Sequence, residues 1–471
     1  MTSDAAVVAG ESAKAPGRPA PVYSGAPVLG ALAHFRDDLL GTLLRAADLG
    51  SVVRFRMPAG VPVRTYGVFC PQGADRLLAG SAGGYRKDSR PYAETAAFFG
   101  DGLLTSQDER WHRQRRFVAP LFTPRRISGD YVPVLVQEAV RMRSTWAASL
   151  DATADVHALS VAYTLRAIGR VLFGADLDDV LPRLGPVFGR ANAYLSARVS
   201  TASLLPRTWP TPTNRRGRAA QRELYAIVDG LIEGRRAAQA GGDDLLGRLM
   251  HERDPRTGEP LSADEVRDQA LIFLLAGHET TATALAFTLQ LLARHPETQA
   301  QVQLEIDAVR GVVAAGELVR VTPYTQQVLK EALRLYPPAY GISRYTAGGD
   351  VIDGTQVLPG SNIFVGTFAM HRSAQVWPDP QRFDPDRFAP DRVARRHRMA
   401  WLPFGGGAHA CIGAQLATAE LTVALTELLG DFAVRPATEG RPVPPVASGL
   451  VLRPSAPMPH RLVARQHRSS I

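Results

Sequence analysis

The chain has 471 residues, of which 45% are hydrophobic, 21% charged and 7% aromatic. This composition is typical of a globular protein with a large core and excludes a disordered chain. The formal net charge is +9, but the basic residues are spread along the chain among acidic ones. Because nucleic-acid binding needs a clustered basic stripe, we expect no nucleic-acid partner.

Residues 1–20 include charged residues and have no unbroken apolar segment, so they do not resemble a signal peptide. We interpret them as a flexible leader. A single domain is expected over residues 21–471, because no later stretch has the composition of a linker. No apolar run reaches the length of about 18 residues that a membrane-spanning helix needs, so we expect no membrane span.

The two cysteines, Cys70 and Cys411, lie far apart in the sequence. This usage suits a reducing compartment, so we predict a cytoplasmic protein without disulfides. Cys70 follows a strand-like stretch and is interpreted as a buried, inert thiol. The densest basic patch, Arg207 to Arg218, is most simply a solvated loop; contact with an acidic partner or a membrane surface is the alternative.

The first part of the chain predicts a small sheet followed by helices. Apolar spacing predicts a helix over residues 38–49, and alternating residues predict a hairpin of strands Val52–Phe55 and Val61–Phe69. Residues 94–300 have a mostly helical pattern. A proline-containing segment from Leu204 to Arg218 breaks it, and we expect that segment to be mobile.

One long helix is the best defined element. Ser262 and Glu265 have the spacing of a capping box, and the helical pattern continues to Arg294. Residues 270–276 are apolar on every face, which indicates a helix that crosses the protein interior.

The last part of the chain mixes helix, strand and coil. Its patterns predict a helix from Gln326 to Leu335, a β-rich stretch from Arg344 to Phe364, a coil from Trp377 to Phe404 and a helix after Cys411. The predicted fold class is therefore mainly α with a minor β region.

A glycine-rich loop from Phe404 to Gly413 contains Cys411 and precedes the final helix. At a helix N-terminus the free N–H groups and the helix dipole stabilise a thiolate, so we expect a lowered pKa for Cys411. A thiolate is a ligand for iron, and glycines allow a backbone to approach a flat ring closely. Such a loop can also bind phosphate, but no lysine follows here as in a P-loop.

This loop resembles the signature F-x-x-G-x-x-x-C-x-G of cytochromes P450, and further motifs occur in that family's order. The resemblance implies the cytochrome P450 fold, with haem b between the long central helix and the cysteine-loop helix. It also implies that Cys411 is the ligand of the haem iron and that Phe404, Gly405 and Gly413 belong to the haem-binding loop.

Glu331 and Arg334 are spaced to pair on one helical face, which alone indicates no more than a surface ion pair. In the family this pair is locked by an arginine of the following coil, which corresponds to Arg387 here. The resemblance therefore implies a structural role: the three residues fix the coil that precedes the cysteine loop.

Trp111 and Arg115 lie four residues apart on one helical face and suit a carboxylate. The resemblance implies that they bind haem propionates together with Arg344 and His409. Ordinary surface cations are the alternative. The family more often has arginine where this chain has His409, so we expect haem retention to weaken as the pH rises past the pKa of this histidine.

The segment from Ala276 to Thr281 resembles the family's oxygen-activating motif. Gly277 is expected to let the helix pass close to the haem, and a threonine hydroxyl that bonds backwards can open a helix locally. The resemblance implies that Thr280 holds hydrogen bonds at the iron-bound oxygen and that Glu279 exchanges protons with solvent. Without the cysteine loop, plain helix packing would explain these residues.

The resemblance implies a haem-thiolate monooxygenase that inserts one oxygen atom of O2 into a hydrophobic, natural-product-like small molecule. Electrons are expected from a ferredoxin or flavodoxin and its reductase, with basic residues near the cysteine face docking the acidic carrier. Substrate contacts are expected from residues 82–102, 187–218, 273–280, 338–342 and 448–451. A peroxide-driven or non-redox haem-thiolate enzyme and a non-catalytic haem-thiolate protein are the alternatives.

Overall fold

The computed structural model describes residues 17–60, 63–79, 84–148, 153–200, 206–238, 242–440 and 446–465. The helices are α1 Ala31–Ala47, α2 Pro71–Leu78, α3 Arg90–Phe99, α4 Asp108–Val118, α5 Pro124–Arg126, α6 Val132–Ala147, α7 Val156–Phe173, α8 Leu181–Ser200, α9 Pro212–Ala237, α10 Leu245–His251, α11 Ala263–Arg294, α12 Pro296–Val309, α13 Leu318–Val321, α14 Pro323–Leu335, α15 Thr367–Met370, α16 Pro390–Ala394 and α17 Ala414–Asp431. The strands are β1 Arg18–Pro19, β2 Val22–Tyr23, β3 Val52–Phe55, β4 Arg64–Val68, β5 Tyr85–Arg86, β6 Ala154–Asp155, β7 Ile342–Thr346, β8 Asp350–Ile352, β9 Thr355–Val357, β10 Ser361–Val365, β11 Phe432–Pro436, β12 Val446–Ala447, β13 Arg453–Pro454 and β14 Pro459–Ala464.

The predicted N-terminal hairpin is confirmed and belongs to a larger sheet. Strands β3 and β4 are antiparallel, with Val52 opposite Val68, and β4 pairs in parallel with β10. The full order is β2-β3-β4-β10-β7-β5, so the β-rich stretch of the second half joins the first. Sequence pattern could not predict this pairing, because about three hundred residues separate β4 from β10.

The segment interpreted as a flexible leader ends inside the fold. Residues 1–16 lie outside the described residues, but Arg18 and Pro19 pair in parallel with Thr355 and Gln356. The boundary at residue 20 is therefore wrong for its last residues. Helix α1 is kinked at Asp38, whose φ of −154° is not helical, so the helix predicted from residue 38 is its second piece and a first piece from Ala31 precedes it.

Helix α11 is the centre of the molecule. Ser262 and Glu265 make both bonds of the predicted capping box, at 3.2 and 2.9 Å, and the helix ends at Arg294. It packs against α7, α9, α14 and α17, which bury it on all sides. Among the described residues it is also the one helix long and apolar enough to span a membrane, and 83% of its apolar window is buried inside the protein.

The proline-containing break near residue 210 is shorter than predicted. Residues 201–205 lie outside the described residues, and α9 already begins at Pro212 with Thr211 as its N-cap. Proline at the first helical position loses no hydrogen bond, which explains why the segment is helical despite its prolines. The basic patch is therefore half helix and not a solvated loop throughout.

Candidate active site

An interior cavity of about 620 Å³ lies beside the middle of α11. Eleven of the twelve residues predicted for the site line it: Trp111, Arg115, Ala276, Gly277, Thr280, Arg344, Phe404, Gly405, His409, Cys411 and Gly413. The twelfth, Glu279, is buried behind this wall. All five predicted substrate segments contribute lining residues. From the segment 187–218 these are Leu195, Ser196 and Val199 of α8.

The cysteine loop closes on itself before α17 begins. The backbone N–H of Cys411 donates to the carbonyl of Phe404 at 2.8 Å, and Gly413 is the N-cap residue of α17. Cys411 is exposed and lines the cavity. Burial raises the pKa of the thiol, and a hydrogen bond from the Gly413 backbone lowers it less. The expected lowering of this pKa is therefore wrong for the protein without a metal.

The glycines of the loop are required by backbone conformation or by close contacts. Gly405 and Gly407 have φ of +70° and +69°, a region that other residues rarely adopt. A Cβ at Gly407 would lie 1.8 Å from the carbonyl oxygen of Leu78, and one at Gly406 would lie 3.0 Å from the sulfur of Met399. Only at Gly413, where a Cβ would lie 3.9 Å from the Cys411 sulfur, does the missing side chain leave room beside the thiol. Gly405 and Gly406 also line the cavity, so the expected close approach of this loop to a flat ring stays a prediction.

A buried ion pair fixes the coil before this loop. Arg334 donates two hydrogen bonds of 2.7 and 2.8 Å to Glu331, and Arg387 approaches the same carboxylate at 3.3 Å. Burial raises the pKa of Glu331, an effect that Arg334 and Arg387 oppose. Arg387 also donates to the carbonyls of Pro378 and Asp379. The predicted triad is confirmed as a structural unit.

His371 connects the buried ion pair to the backbone just before the cysteine loop, a link that the sequence did not reveal. Arg334 donates to the His371 carbonyl at 2.7 Å, and the His371 ring contacts the Arg334 carbonyl at 3.2 Å. Its Nε2 accepts the backbone N–H of Leu402 at 2.9 Å, two residues before Phe404. Burial lowers the pKa of His371 to about 3, so the ring is neutral and able to accept that bond.

A cationic cluster occupies one end of the cavity. Arg115 lies 5.1 Å from the ring of Trp111, and the ring of His409 lies 4.2 Å from it, measured between ring centroids. Arg344 is buried and donates to Tyr92 at 3.4 Å and to the Ser343 carbonyl at 2.8 Å. Neither Arg115 nor Arg344 has an ion pair among the described residues.

Lys87 joins this cluster, although nothing in the sequence pattern singled it out. Its ammonium donates to the carbonyls of Leu104 and Ser106 at 2.9 and 3.0 Å and lies 3.4 Å from that of Leu103. Burial, reinforced by the nearby Arg344, lowers the pKa of Lys87 to about 7. A lysine enclosed by carbonyls that still faces a cavity is poised to bind an anion there.

The pKa of His409 is lower than expected for a histidine that binds an anion as a cation. Burial, together with the cations Lys87, Arg344 and Arg115, lowers its pKa to about 3. Its Nδ1 is buried and has no hydrogen-bond partner among the described residues. The ring is therefore neutral at physiological pH in the haem-free protein. The two carboxylates of a bound haem would oppose the effect of these cations, so the expected pH dependence of haem retention stays a prediction.

These groups fit a planar dicarboxylate with a metal at its centre. The cavity is large enough for a haem, one wall offers a thiol that would hold its iron, and one end offers several cations without carboxylate partners among the described residues. The orphaned Nδ1 of His409 adds a further polar atom that such a ligand would satisfy. The residues present therefore match the donor set that haem requires.

Helix α11 presents a threonine to this cavity. The hydroxyl of Thr280 donates backwards to the carbonyl of Ala276 at 2.7 Å, as predicted, yet α11 stays helical through this point. Gly277 is also explained differently from the prediction. A Cβ there would lie 2.8 Å from the side chain of Ile168, so this glycine permits the close packing of α11 on α7.

Glu279 is a buried acid with few groups nearby that would stabilise its charged form. Its side chain is 7% exposed, and its Oε2 has no hydrogen-bond partner among the described residues. Burial raises the pKa of Glu279 to about 7, an effect that Arg453 partly opposes. A carboxyl group with this pKa holds and releases a proton near neutral pH.

The chain is similar to several known proteins. A family model described as Cytochrome P450 matches residues 65–460. A cyclooctat-9-en-7-ol 5-monooxygenase of Streptomyces melanosporofaciens is 35% identical over 72% of this chain and 73% of its own length. A pentalenene oxygenase of Streptomyces avermitilis is 32% identical over 73% and 76%, respectively. The crystal structure of the cytochrome P450DA haem domain matches with a TM-score of 0.82 and 26% identity, and the match covers 96% of this chain and 98% of that one.

Proposed function

This chain belongs to the cytochrome P450 family and has its fold, and we propose that it is an O2-dependent monooxygenase of a hydrophobic small molecule. The family and the structural neighbour imply a haem; we infer haem b, held by Cys411. When bound, a haem with a thiolate ligand supplies the oxidising chemistry. The protein supplies position, charge and protons.

The observation that carries this proposal is the adjacency of Glu279 and Thr280 on α11. Thr280 faces the cavity, whereas Glu279 is buried next to it with a free carboxyl oxygen and a pKa of about 7. Activation of O2 consumes protons as well as electrons, and a buried acid beside a cavity-facing alcohol is suited to supply them. Glu279 would hold the proton, and the hydroxyl of Thr280 would pass it into the cavity.

The cationic cluster would bind the haem propionates. Arg115, Arg344 and Lys87, with the indole N–H of Trp111 and the neutral His409, would satisfy two carboxylates that are costly to bury alone. Phe404, Gly405 and Gly413 would face the ring beside the thiolate. These groups orient the haem, and no titration of His409 is needed for that role.

Separate proteins would deliver the electrons. With Cys411 assigned to the haem, Cys70 is the one cysteine left in this sequence, and an iron–sulfur cluster takes at least two cysteine ligands. We therefore propose a ferredoxin or flavodoxin with its reductase as partners, and a cytoplasmic location that suits them. A substrate of terpenoid type is supported by the relatives, whose names specify cyclooctat-9-en-7-ol and pentalenene. The walls near Leu195, Ile272 and Leu450 are apolar, which suits such molecules.

The test is a pair of threonine variants on the same helix. Thr280→Ala should lower the amount of product formed per electron consumed, because the proton path into the cavity is lost. Thr288→Ala is the matched control: Thr288 donates to Ala284 at the same 2.7 Å with the same spacing, but it does not line the cavity. Equal coupling of both variants with the wild type would remove Thr280 from the mechanism.

The same preparations decide between the alternatives. Turnover that requires O2 and a reductase supports the proposal, whereas turnover with hydrogen peroxide alone favours a peroxide-driven enzyme. A non-catalytic haem-thiolate protein would show spectral shifts with apolar ligands and no product with either oxidant.

A further inference from the structure

The segment from Pro206 to Arg222, here called the basic lid, concentrates positive charge. It contains five arginines and no aspartate or glutamate, although the whole chain has a net charge of only +9. Residues 206–210 are all exposed, and α9 begins within the segment at Pro212. More than half of the protein's net charge therefore lies on 17 consecutive residues.

Four of the five arginines of the basic lid lie on the exposed side of α9. Arg215, Arg218 and Arg222 follow one another at helical spacing, and all three are exposed, as is Arg216. The opposite side of the same turns is buried through Asn214, Gly217 and Ala220. Arg215, Arg216 and Arg222 form no ion pair among the described residues.

An exposed tryptophan lies within this charge. Trp209 is 53% exposed, and the carbonyl of Trp209 accepts a hydrogen bond of 2.9 Å from Asn214, so the loop that carries it is fixed to α9. The other tryptophans of the chain are buried or half-buried. Arginines that flank an exposed indole are the combination that binds the interface of an anionic lipid bilayer.

The basic lid is also tied to the wall of the cavity. Arg207 donates to the buried Glu94 of α3 at 3.1 Å, and Arg198 of α8 donates to the same carboxylate at 2.9 Å. Gln221 of α9 donates to the Phe98 carbonyl at 2.7 Å. Helices α3 and α8 both line the cavity, so a surface that binds the basic lid lies next to two walls of the site.

We propose that the basic lid docks the protein on membrane surfaces that carry anionic lipids, from which an apolar substrate reaches the cavity. The benefit of such docking rests on the apolar substrate of the proposed function, because such molecules partition into lipid. An indole among arginines suits the headgroup region of an anionic bilayer, where the ring lies between the charged and the apolar layers, and this favours a lipid surface as the occupant.

The experiment measures the partition of the haem-loaded protein onto vesicles by sedimentation. Vesicles of phosphatidylcholine with 30% phosphatidylglycerol should bind it at low salt, and pure phosphatidylcholine vesicles should not. The double variant Arg215→Glu/Arg216→Glu should lose at least about 30-fold in partition coefficient, the factor expected from the loss of two cations alone, and the two new carboxylates add repulsion from the anionic surface. The matched control is Arg395→Glu/Arg461→Glu, which changes the net charge equally at exposed arginines outside the basic lid and should bind nearly as wild type.

Fluorescence gives a second readout at the contact itself. Quenching by brominated lipids should reach Trp209, because it is the exposed tryptophan, and Trp209→Phe should abolish that quenching. The reduced, carbon monoxide-bound spectrum of each variant shows that its fold and haem are intact.

Several outcomes would overturn the proposal. These are an absence of binding to the anionic vesicles, equal losses in the two double variants, or binding to soluble poly-glutamate through Arg215 and Arg216 without binding to vesicles; the last would point to an acidic protein instead. Turnover of a dissolved substrate without vesicles should be unchanged in Arg215→Glu/Arg216→Glu and in Trp209→Phe, so a failure here leaves the monooxygenase proposal untouched.

Discussion

Glu331 and Arg334 form two hydrogen bonds in a region where neither side chain has any exposed surface. Taking both charges out of water is costly, and the cost is offset only when the remaining donors and acceptors are satisfied. Here Arg334 uses its other N–H groups on the carbonyls of His371, Pro380 and Arg382. The pair therefore organises a coil, and through His371 it positions the cysteine loop.

Glu331→Gln should destabilise the protein by about 3–5 kcal/mol, because it leaves the guanidinium groups of Arg334 and Arg387 buried without a counter-charge. The matched control is Glu317→Gln, which breaks a Glu–Arg pair of the same spacing with Arg320 at the surface and should cost less than about 1 kcal/mol. Urea unfolding of the haem-loaded proteins measures both. Losses of equal size would show that the buried pair does not organise the coil.

Cys411→Ala should abolish the red-shifted absorption band of the reduced, carbon monoxide-bound protein, because that band requires a thiolate ligand. Cys70→Ala is the control: Cys70 caps α2, where it accepts the Gly73 backbone N–H at 3.4 Å, and burial raises its pKa, so it is no competing thiolate. Its variant should keep the band at full intensity. A band that survives in Cys411→Ala would contradict the assignment of the ligand.

The sequence predicted most of the site and little of its support. Short local sequence patterns contain Cys411, Thr280 and Arg115. Such patterns can be recognised without any knowledge of contacts between distant parts of the chain. His371 and Lys87 were missed because each acts through backbone groups that are distant in sequence or carry no side-chain signature. Pairing of strands over long separations was missed for the same reason.

The errors share a physical origin. The lowered pKa expected for Cys411 considered the helix dipole without the cost of burial, and burial dominates in this cavity. Around His409, only the fold brings together the cations Lys87, Arg344 and Arg115, which lower its pKa in the haem-free protein. The role given to Gly277 considered a ligand, whereas its neighbour Ile168 explains it.

Glu279 should make the stability of the protein depend on pH. Its pKa of about 7 in the folded chain lies above the ordinary 4.5, so between these values the folded chain holds a proton that the unfolded chain has released. Stability from this group is complete below pH 4.5 and is lost as the pH rises through 7. In Glu279→Gln that loss is absent.

The stability of Glu279→Gln relative to wild type should therefore rise by on the order of 3 kcal/mol between pH 4.5 and pH 8. Unfolding free energies of both proteins at the two pH values measure this difference, in which contributions from other groups cancel. The exposed Glu317→Gln should show no such trend. A difference that is constant with pH would mean that Glu279 binds its proton equally well in the folded and unfolded chains, contrary to the raised pKa.

Alanine substitutions at the glycines of the cysteine loop should show which glycines are needed for the backbone conformation and which for haem binding. Gly407→Ala should prevent the loop from folding, since its φ is +69° and the new methyl group would overlap the Leu78 carbonyl. Gly405→Ala has a similar φ of +70° but an open surrounding, with its nearest contact at 3.6 Å, so it should cost only about 1–2 kcal/mol.

Gly413→Ala should behave differently from both. Its φ of −85° is ordinary, and the new methyl group would lie 3.9 Å from the sulfur of Cys411, in ordinary contact. The haem-free variant should therefore unfold at the same urea concentration as the haem-free wild type. Its haem should nevertheless transfer faster to apomyoglobin, because the methyl group occupies space beside the thiol that the ring needs. Equal transfer rates would show that the ring does not approach Gly413 closely.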